Sequence, residues 1–426
     1  MAGPIPNRFG SAERTGRTQP PRLRRIILTA ILVLPIIAMA VFGRALYAKY
    51  EDSRLQKMSA ADLDTVVKKD PKNTQALYRL GLALVRDNRY REATNAFLTV
   101  LEREPVRPDV LNDLGLTYLA QERYYESLIA FNGALAARPD YPAAYGNLGR
   151  LHLATKMPFT AVRELEHAVR YAPSDVSAIC DLGEAYQKTL NLQAAKRSYQ
   201  AAIRLNPRYL SAYVGLGQTE YGLAEYAAAG KTLNQALALA PDDTQTLLTL
   251  ARMRMDEASS EAELGAVQKL LDRAARVDPD NAEVWYDRGR VALRQHQAGK
   301  AVEYLTRTLQ MSPRHDAALH QLERALRAAG RSADANRAGK VFQEHALRER
   351  EETHLEEVVS HHPQDWDSQA RLVDIYLQSG QRGLALLVFR RILAAAPRHP
   401  ALPQLRLELD RHFASSSATS SEVKGP

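Results

Sequence analysis

The chain has 426 residues, of which 45% are hydrophobic and 25% charged, and this composition excludes a largely disordered protein. The formal net charge is +8, but residues 1–57 contribute +7 of it, so basic and acidic side chains are almost equal in number in the remainder. A near-neutral body without a basic stripe argues against a nucleic-acid partner, because phosphate binding needs several Lys or Arg on one face. Cys180 is the only cysteine, which excludes intramolecular disulfides and cysteine-rich zinc sites.

The N-terminal region is predicted to be a basic arm followed by a membrane-spanning helix. Residues 1–25 form the arm, which we expect to be disordered and cytoplasmic. Residues 26–43 are uncharged and mostly apolar. As a helix they would extend roughly 27 Å, close to the hydrocarbon thickness of a bilayer. Because apolar residues continue further, the sequence predicts a transmembrane helix or signal anchor over residues 26–47.

The arginine distribution predicts the orientation of this helix. Six arginines and one acid lie before it, whereas the basic residues after it are diluted by Glu51 and Asp52. Since positive flanks stay in the cytoplasm, we expect a single-pass protein of a bacterial inner membrane, with its body periplasmic or otherwise extracytoplasmic. Ala38, Met39 and Ala40 also resemble a signal-peptide cleavage site, and cleavage there would export the body as well.

One sequence unit recurs at a fixed spacing through the body of the chain. Successive units are marked by a Leu-Gly pair and by a closing proline. Both marks return with a period of about 34 residues, and such a fixed period is the sequence signature of a repeat architecture. The pairs are Leu80-Gly81, Leu114-Gly115, Leu148-Gly149, Leu182-Gly183 and Leu216-Gly217, and the prolines are Pro71, Pro105, Pro139, Pro173, Pro207 and Pro241.

Each unit is predicted to be a hairpin of two helices. Its apolar residues follow helical spacing in two runs, separated by polar residues such as those at 86–89 and 121–123. The glycine of the Leu-Gly pair and a small residue in the second run, such as Ala161, would let the two helices approach closely. A larger residue four positions later, such as Leu165, would fill the space between neighbouring hairpins.

These residues resemble the tetratricopeptide repeat (TPR) family, whose unit has a bulky residue, Leu-Gly, Tyr, Ala, Phe or Tyr, Ala and Pro at fixed offsets. The resemblance implies an all-α, right-handed TPR solenoid of helical hairpins, with the main array at residues 59–345. It also implies an inner surface that binds a protein or peptide. The segment 108–141 shows the pattern as Leu111, Leu114-Gly115, Tyr118, Ser127, Phe131, Ala134 and Pro139.

The later units depart from this period. Pro241 and Pro279 lie four positions further apart than the earlier prolines, which predicts a longer turn between the two helices of that unit. Residues 333–362 lack proline and are rich in helix-favouring residues, so they predict one extended helix. Residues 346–412 are then expected to form a C-terminal module of this long-helix seam, a TPR hairpin and a capping helix. The composition of residues 413–426 predicts a disordered tail.

No motif in the sequence indicates catalysis, and we expect a non-enzymatic protein without cofactor, metal or small-molecule substrate. The pairs Glu164 with His167 and Glu351 with His354 have the spacing of iron ligands, but they lie on distant helices and lack partner glutamates. Phosphate-binding loops, nucleophile elbows and zincin helices are absent from the sequence. Repeats, the apolar segment and the tails account for almost every residue.

The inner surface is therefore the predicted place of function. Positions directly before and after each Leu-Gly pair should project from the first helices toward it, although a merely solvated face would have the same polar character. Acidic residues such as Asp113 and Asp181, and arginines later in the chain, suggest a partner bound in one direction. The predicted groove residues are Arg79, Asp113, Asn147, Arg150, Asp181, Glu184, Gln218, Arg252, Asp287, Arg290 and Arg324.

These features together predict a membrane-tethered scaffold that binds a protein or peptide in a concave TPR groove for envelope assembly. The alternative is an accessory subunit of a membrane enzyme or of an export complex, such as one for polysaccharide synthesis or secretion. Both alternatives place the binding energy in the groove and leave the partner unnamed, because the same repeat serves many unrelated assemblies.

Overall fold

The computed structural model describes residue 46 and residues 49–419, with side chains as far as residue 412. This described part is helical throughout, with no strand. The predicted basic arm, and the predicted membrane span except for Leu46, lie outside the described residues. Within them, every helix is too short or too polar to cross a bilayer. The chain divides into two compact units, Met1–Ala83 and Leu84–Pro426.

The unit Met1–Ala83 contains a helical stretch at residues 49–56 and the helix α1 (Ala60–Lys69). Helix α2 (Thr74–Arg86) begins in this unit and crosses its boundary. Ser59 caps α1 by accepting a hydrogen bond from the Asp62 amide at 3.2 Å, and this satisfies one of the free amides at the helix start. Arg79 of α2 donates to Asp52 at 2.6 Å from its Nε.

The unit Leu84–Pro426 is a succession of helical hairpins that follows α3 (Tyr90–Arg103). The first helices of the hairpins are α4 (Pro108–Ala120), α6 (Pro142–Ala154), α8 (Val176–Lys188), α10 (Leu210–Gly222), α12 (Thr244–Glu257), α14 (Ala282–Arg294), α16 (Asp316–Ala328) and α18 (Trp366–Gln378). The second helices are α5 (Tyr124–Ala137), α7 (Pro158–Tyr171), α9 (Leu192–Leu205), α11 (Tyr226–Leu239), α13 (Glu261–Val277), α15 (Ala298–Met311), α17 (Ser332–His361) and α19 (Arg382–Ala395), and α20 (Leu402–Thr419) closes the array.

The turns inside the hairpins share one backbone feature. A residue with positive φ lies at the same place in eight described turns, and in six of them it is not glycine. A left-handed conformation costs such a residue roughly 1–2 kcal/mol, so the packing of the two helices holds the turn. The residues are Asn88, Glu122, Lys156, Leu190, Ala224, His296, Gly330 and Gly380.

The glycine of the Leu-Gly pair packs against the second helix, as the sequence predicts. A Cβ on Gly115 would lie 2.5 Å from Cε1 of Phe131, which is fully buried. A Cβ on Gly289 would lie 2.6 Å from Cγ of Leu305 in the same way. Since real Cβ atoms do not approach so closely, the absence of a side chain sets the distance between the helices of each hairpin that carries this glycine.

The long unit between Pro241 and Pro279 corrects one prediction. The turn between α12 and α13 has the usual length, and the additional residues lengthen the helices instead, to 14 residues in α12 and 17 in α13. The cause is a capping box at Ser260: its side chain accepts from the Glu263 amide, and the Glu263 carboxylate accepts from the Ser260 amide. This cap starts α13 directly after the turn.

The predicted extended helix is confirmed as α17, which has 30 residues. Its first half is the second helix of the α16 hairpin. Its second half packs through Leu355 and Val359 against the apolar core of α18, α19 and α20. Two second helices are thus joined end to end with no first helix between them. The capping helix α20 is also present, and it continues into the predicted tail as far as Thr419.

Candidate functional site

The first helices form a continuous surface in the unit Leu84–Pro426. Each first helix from α4 to α14 packs against the next first helix, whereas second helices pack mainly against first helices. The layer in which successive helices touch is the inner layer of a stacked array. We call the exposed side of α4 to α16 the inner face.

Polar side chains join neighbouring first helices across the early part of the inner face. The buried amide of Asn147 on α6 donates to Oδ1 of Asn112 on α4 at 2.9 Å. Arg150 donates to Oδ1 of Asn147 at 3.3 Å, and its Nε lies 3.9 Å from Oδ2 of Asp181 on α8. Asp113 accepts from the amide of Asn112 at 3.3 Å. The inner face therefore has a built polar network here, which a merely solvated surface would not need.

Asp181 is the most electrostatically perturbed of the predicted groove residues. Burial raises its pKa to about 6, opposed by Arg150 and reinforced by Glu184. Its side chain is 25% exposed, and Arg150 approaches it only to 3.9 Å. The neighbouring Cys180 is buried, and burial raises the pKa of its thiol to about 12. At neutral pH this part of the face thus holds an ionised carboxylate with incomplete compensation.

The middle of the inner face is neutral. Gln187 donates to Oγ1 of Thr219 at 2.8 Å and accepts from the Tyr199 hydroxyl at 2.9 Å. Gln218 donates to Oγ1 of Thr249 on the next first helix at 3.4 Å. These uncharged contacts continue the link between first helices without adding charge.

The arginines of the later part are matched by carboxylates. Nε of Arg252 donates to Oδ2 of Asp287 at 2.6 Å, and Nη2 donates to Glu283 at 2.5 Å. Arg290 donates to the other oxygen of Asp287 at 3.1 Å and lies 3.9 Å from Asp256. Asp287 is fully buried, and this burial raises its pKa although both guanidiniums oppose the effect. The expected positive end of the groove is consequently close to neutral.

The remaining predicted residues are placed differently. Glu184 and Arg324 are exposed, and Arg324 donates to Gln321 at 3.1 Å on its own helix. Arg79 belongs to the unit Met1–Ala83, where it pairs with Asp52. Sequence reasoning missed Asn112, Asp256 and Glu283, which complete the networks. They could have been found from the sequence as polar residues on successive first helices that lie about one repeat period apart.

The described residues show no cluster of three or more histidine, cysteine and acidic side chains able to hold a metal. Glu164 pairs with Arg163 at 3.0 Å, and the His167 ring stacks on Tyr145 at a centroid distance of 5.0 Å. Glu351 pairs with Arg371 at 2.7 Å. Glu164, His167 and Glu351 are thus each engaged by a neighbouring side chain.

Helical hairpins stacked around a polar inner face define a repeat scaffold. A family model described as tetratricopeptide repeat matches residues 59–93, 78–142, 113–156, 180–244 and 265–316, which together span just over half of the chain. The chain belongs to the tetratricopeptide repeat family. Such repeats form protein-protein interaction scaffolds that bind proteins or peptides and are typically non-catalytic. No curated protein matches the chain.

Several solved structures are similar to parts of this chain. A tetratricopeptide repeat protein from Parabacteroides merdae has 16% identity and a TM-score of 0.51, covering 59% of this chain and 98% of that one. The Pseudomonas aeruginosa protein pilF has 19% identity and a TM-score of 0.42, with coverage of 50% and 94%. YrrB, described as a TPR protein with an unusual peptide-binding site, has 21% identity and a TM-score of 0.33, with coverage of 45% and 96%. The first likeness establishes a shared fold.

Proposed function

We propose that the protein is a membrane-tethered scaffold whose inner face binds an extended partner segment carrying Lys or Arg. The observation that carries this proposal is the charge pattern of α4 to α8. Asp113, Asp181 and Glu184 lie there, and Arg150 is the one arginine that approaches Asp181 among the described residues. A partly buried carboxylate gains most from a cation that arrives with the partner.

The later arginines support this choice of partner over an acidic one. Arg252 and Arg290 already share Asp287, and Glu283 and Asp256 lie close to them. An acidic segment would have to displace these internal partners, whereas a basic segment meets Glu184 directly. We therefore propose that the groove is acidic at the end formed by α4 to α8 and close to neutral at the other end. This replaces the acidic-to-basic gradient expected from the sequence.

Peptide binding tests the proposal with a matched pair of variants. Fluorescence anisotropy would compare labelled extended peptides carrying Lys or Arg with peptides carrying Glu at the same positions. The variant Glu184→Gln should weaken binding of the basic peptides about tenfold, or about 1.4 kcal/mol, which is near the lower end of the roughly 1.5–3 kcal/mol of a hydrogen bond to a charged group because Glu184 is exposed. The control Glu303→Gln removes an exposed acid from a second helix and should change nothing. Equal binding of basic and acidic peptides would count against the proposal.

We also propose that residues 26–47 tether the scaffold to a bacterial inner membrane, with the body outside the cytoplasm and a role in envelope assembly. The support is the apolar length of the segment and the arginine excess before it. Alkaline phosphatase fused after Pro397 should then be active in a bacterial host, and a cytoplasmic reporter fused at the same position should be inactive. The opposite pair of results would reverse the orientation. N-terminal sequencing of the mature protein would distinguish an anchor from a cleaved signal.

A further inference from the structure

The C-terminal part of the unit Leu84–Pro426 contacts an early part of the same unit. Helix α19 packs against α5, and Lys156, in the turn between α6 and α7, pairs with Glu352, 196 residues later in the chain. We call residues 347–395, which comprise the second half of α17 with α18 and α19, the clasp. The surface it meets consists of the turns inside the α4 and α6 hairpins and the first turn of α5.

One very close contact, at Gly383, positions the clasp against the α4 hairpin. Gly383 is the second residue of α19 and is buried. A Cβ there would lie 2.7 Å from the Glu122 carbonyl oxygen and 2.6 Å from Cε2 of Tyr124. Tyr124 also packs against the apolar core of the clasp. Because the Glu122 oxygen belongs to the backbone, this contact leaves no room for any other residue at position 383.

Charged groups surround this contact on both sides. Lys156 pairs with Glu352 and lies 3.4 Å from Glu356. The Arg390 guanidinium lies 2.7 Å from Oε1 of Glu126. Glu352 is buried, and Gln381 also donates to it at 3.1 Å. The docking surface thus combines one backbone-close contact with at least two oppositely charged pairs.

Stacked repeats do not need such a contact to fold. Each hairpin of a solenoid buries its apolar face against its neighbours in sequence, and stability is close to a sum of these local terms. The core of α18, α19 and α20 is formed mainly within the clasp and α20 themselves. The contact with the α4 and α6 hairpins is therefore additional to the packing that forms the array.

We propose that residues 347–395 are a separable clasp, which docks on the turns of the α4 and α6 hairpins through Gly383 and can be released while all the hairpins remain folded. Docked, the clasp joins the two ends of the row of first helices from α4 to α16. Docking and release of the clasp would then control access to the inner face, and that consequence rests on the proposed function. The docking itself does not.

Two glycines at matching positions allow a direct test. Gly383 and Gly299 are each the second residue of a second helix, but nothing lies within 4 Å of a Cβ placed on Gly299. Alanine favours a helix over glycine at both positions. Gly383→Ala should therefore block docking without weakening its own helix, and Gly299→Ala should leave docking intact.

Zero-length carbodiimide crosslinking of the purified full chain, followed by mass spectrometry, reports docking through the amide formed between Lys156 and Glu352 or Glu356. We expect this product in the wild type and in Gly299→Ala, and a loss of at least tenfold in Gly383→Ala with unchanged far-UV circular dichroism. If Gly383→Ala fails to fold, Arg390→Glu takes its place, because it puts a carboxylate beside Glu126 in place of the arginine of the clasp and leaves the crosslinking residues intact.

Three results would overturn the proposal. Absence of the crosslink in the wild type would mean that the clasp does not dock. A yield in Gly383→Ala within twofold of the wild type would mean that Gly383 is not the contact point. Loss of helicity together with the crosslink in both Gly383→Ala and Arg390→Glu would mean that the clasp is part of the folding unit. None of these results depends on whether basic peptides bind the inner face.

Discussion

Asp181→Asn should stabilise the protein at neutral pH and lose that advantage in acid. Burial raises the pKa of Asp181 from 3.8 to about 6, so the folded state binds a proton more readily than the unfolded state. The folded state is therefore penalised increasingly as pH rises from about 4 to about 6, and the penalty is fully present at pH 7. Asparagine has no charge to desolvate and retains a similar shape.

The size of the effect follows from the shift. A difference of about 2 pKa units at about 1.36 kcal/mol each gives an upper limit of about 3 kcal/mol. The side chain is 25% exposed, and solvent screening reduces this figure, so we expect a gain of about 1–3 kcal/mol at pH 7.5. At pH 4 the folded-state carboxyl is protonated, and the gain should be close to zero.

Hydrogen exchange followed by mass spectrometry is the suitable assay, because a repeat array need not unfold in one step. Peptides from α8 should exchange roughly 5- to 160-fold more slowly in Asp181→Asn at pH 7.5, after correction for the intrinsic exchange rate. Glu303→Gln, which neutralises an exposed acid on α15, is the control and should leave the protection of α8 within about 0.5 kcal/mol of the wild type. A destabilised Asp181→Asn variant, or equal gains at both pH values, would refute the assignment of the shift to burial.

Four further variants test the packing and the networks. Gly115→Ala should destabilise by about 1–3 kcal/mol because its Cβ meets the rigid ring of Phe131, whereas Gly133→Ala, with ordinary contact distances of 3.6 Å and more, should stabilise by about 0.5–1 kcal/mol; urea denaturation measures both signs. Ser260→Ala should lower the protection of α13 amides by about 1 kcal/mol, since it removes the capping box. Asp287→Asn should change stability by less than about 1 kcal/mol at neutral pH, because burial raises the pKa of this carboxyl despite both arginines, so that its desolvation offsets most of the two ion pairs; a loss of about 3 kcal/mol or more on thermal unfolding would contradict this balance.

The repeat period made the hairpins predictable. A glycine at the position of Gly115 and a large residue at the position of Phe131 recur at fixed offsets, so their contact could be expected from the sequence. The period also fixes which residues lie on the first helices, and hence the candidate face. Helix length within the unit from Pro241 to Pro279 was predicted wrongly because the number of inserted residues does not say whether a turn or a helix receives them. The cap at Ser260 decides that.

Charge compensation on the inner face could be predicted only in part. Arg252 and Asp287 are both in the predicted set, but their pairing depends on the rotation of α12 against α14, which a period does not give. The contact between Lys156 and Glu352 is even harder to predict from the sequence. It depends on the accumulated rotation of all the hairpins between them and on the fused helix α17, and no local pattern encodes either.

Because two second helices are joined in α17, the inner face also has a limited length. Neighbouring first helices continue only as far as α16, so seven successive first helices, from α4 to α16, form the surface. With helix axes about 9 Å apart, that row measures roughly 55 Å. An extended chain rises about 3.3 Å per residue, so about 16 residues of a partner would fill the row from end to end. Restoring a first helix at the junction in α17 would lengthen that row by one helix.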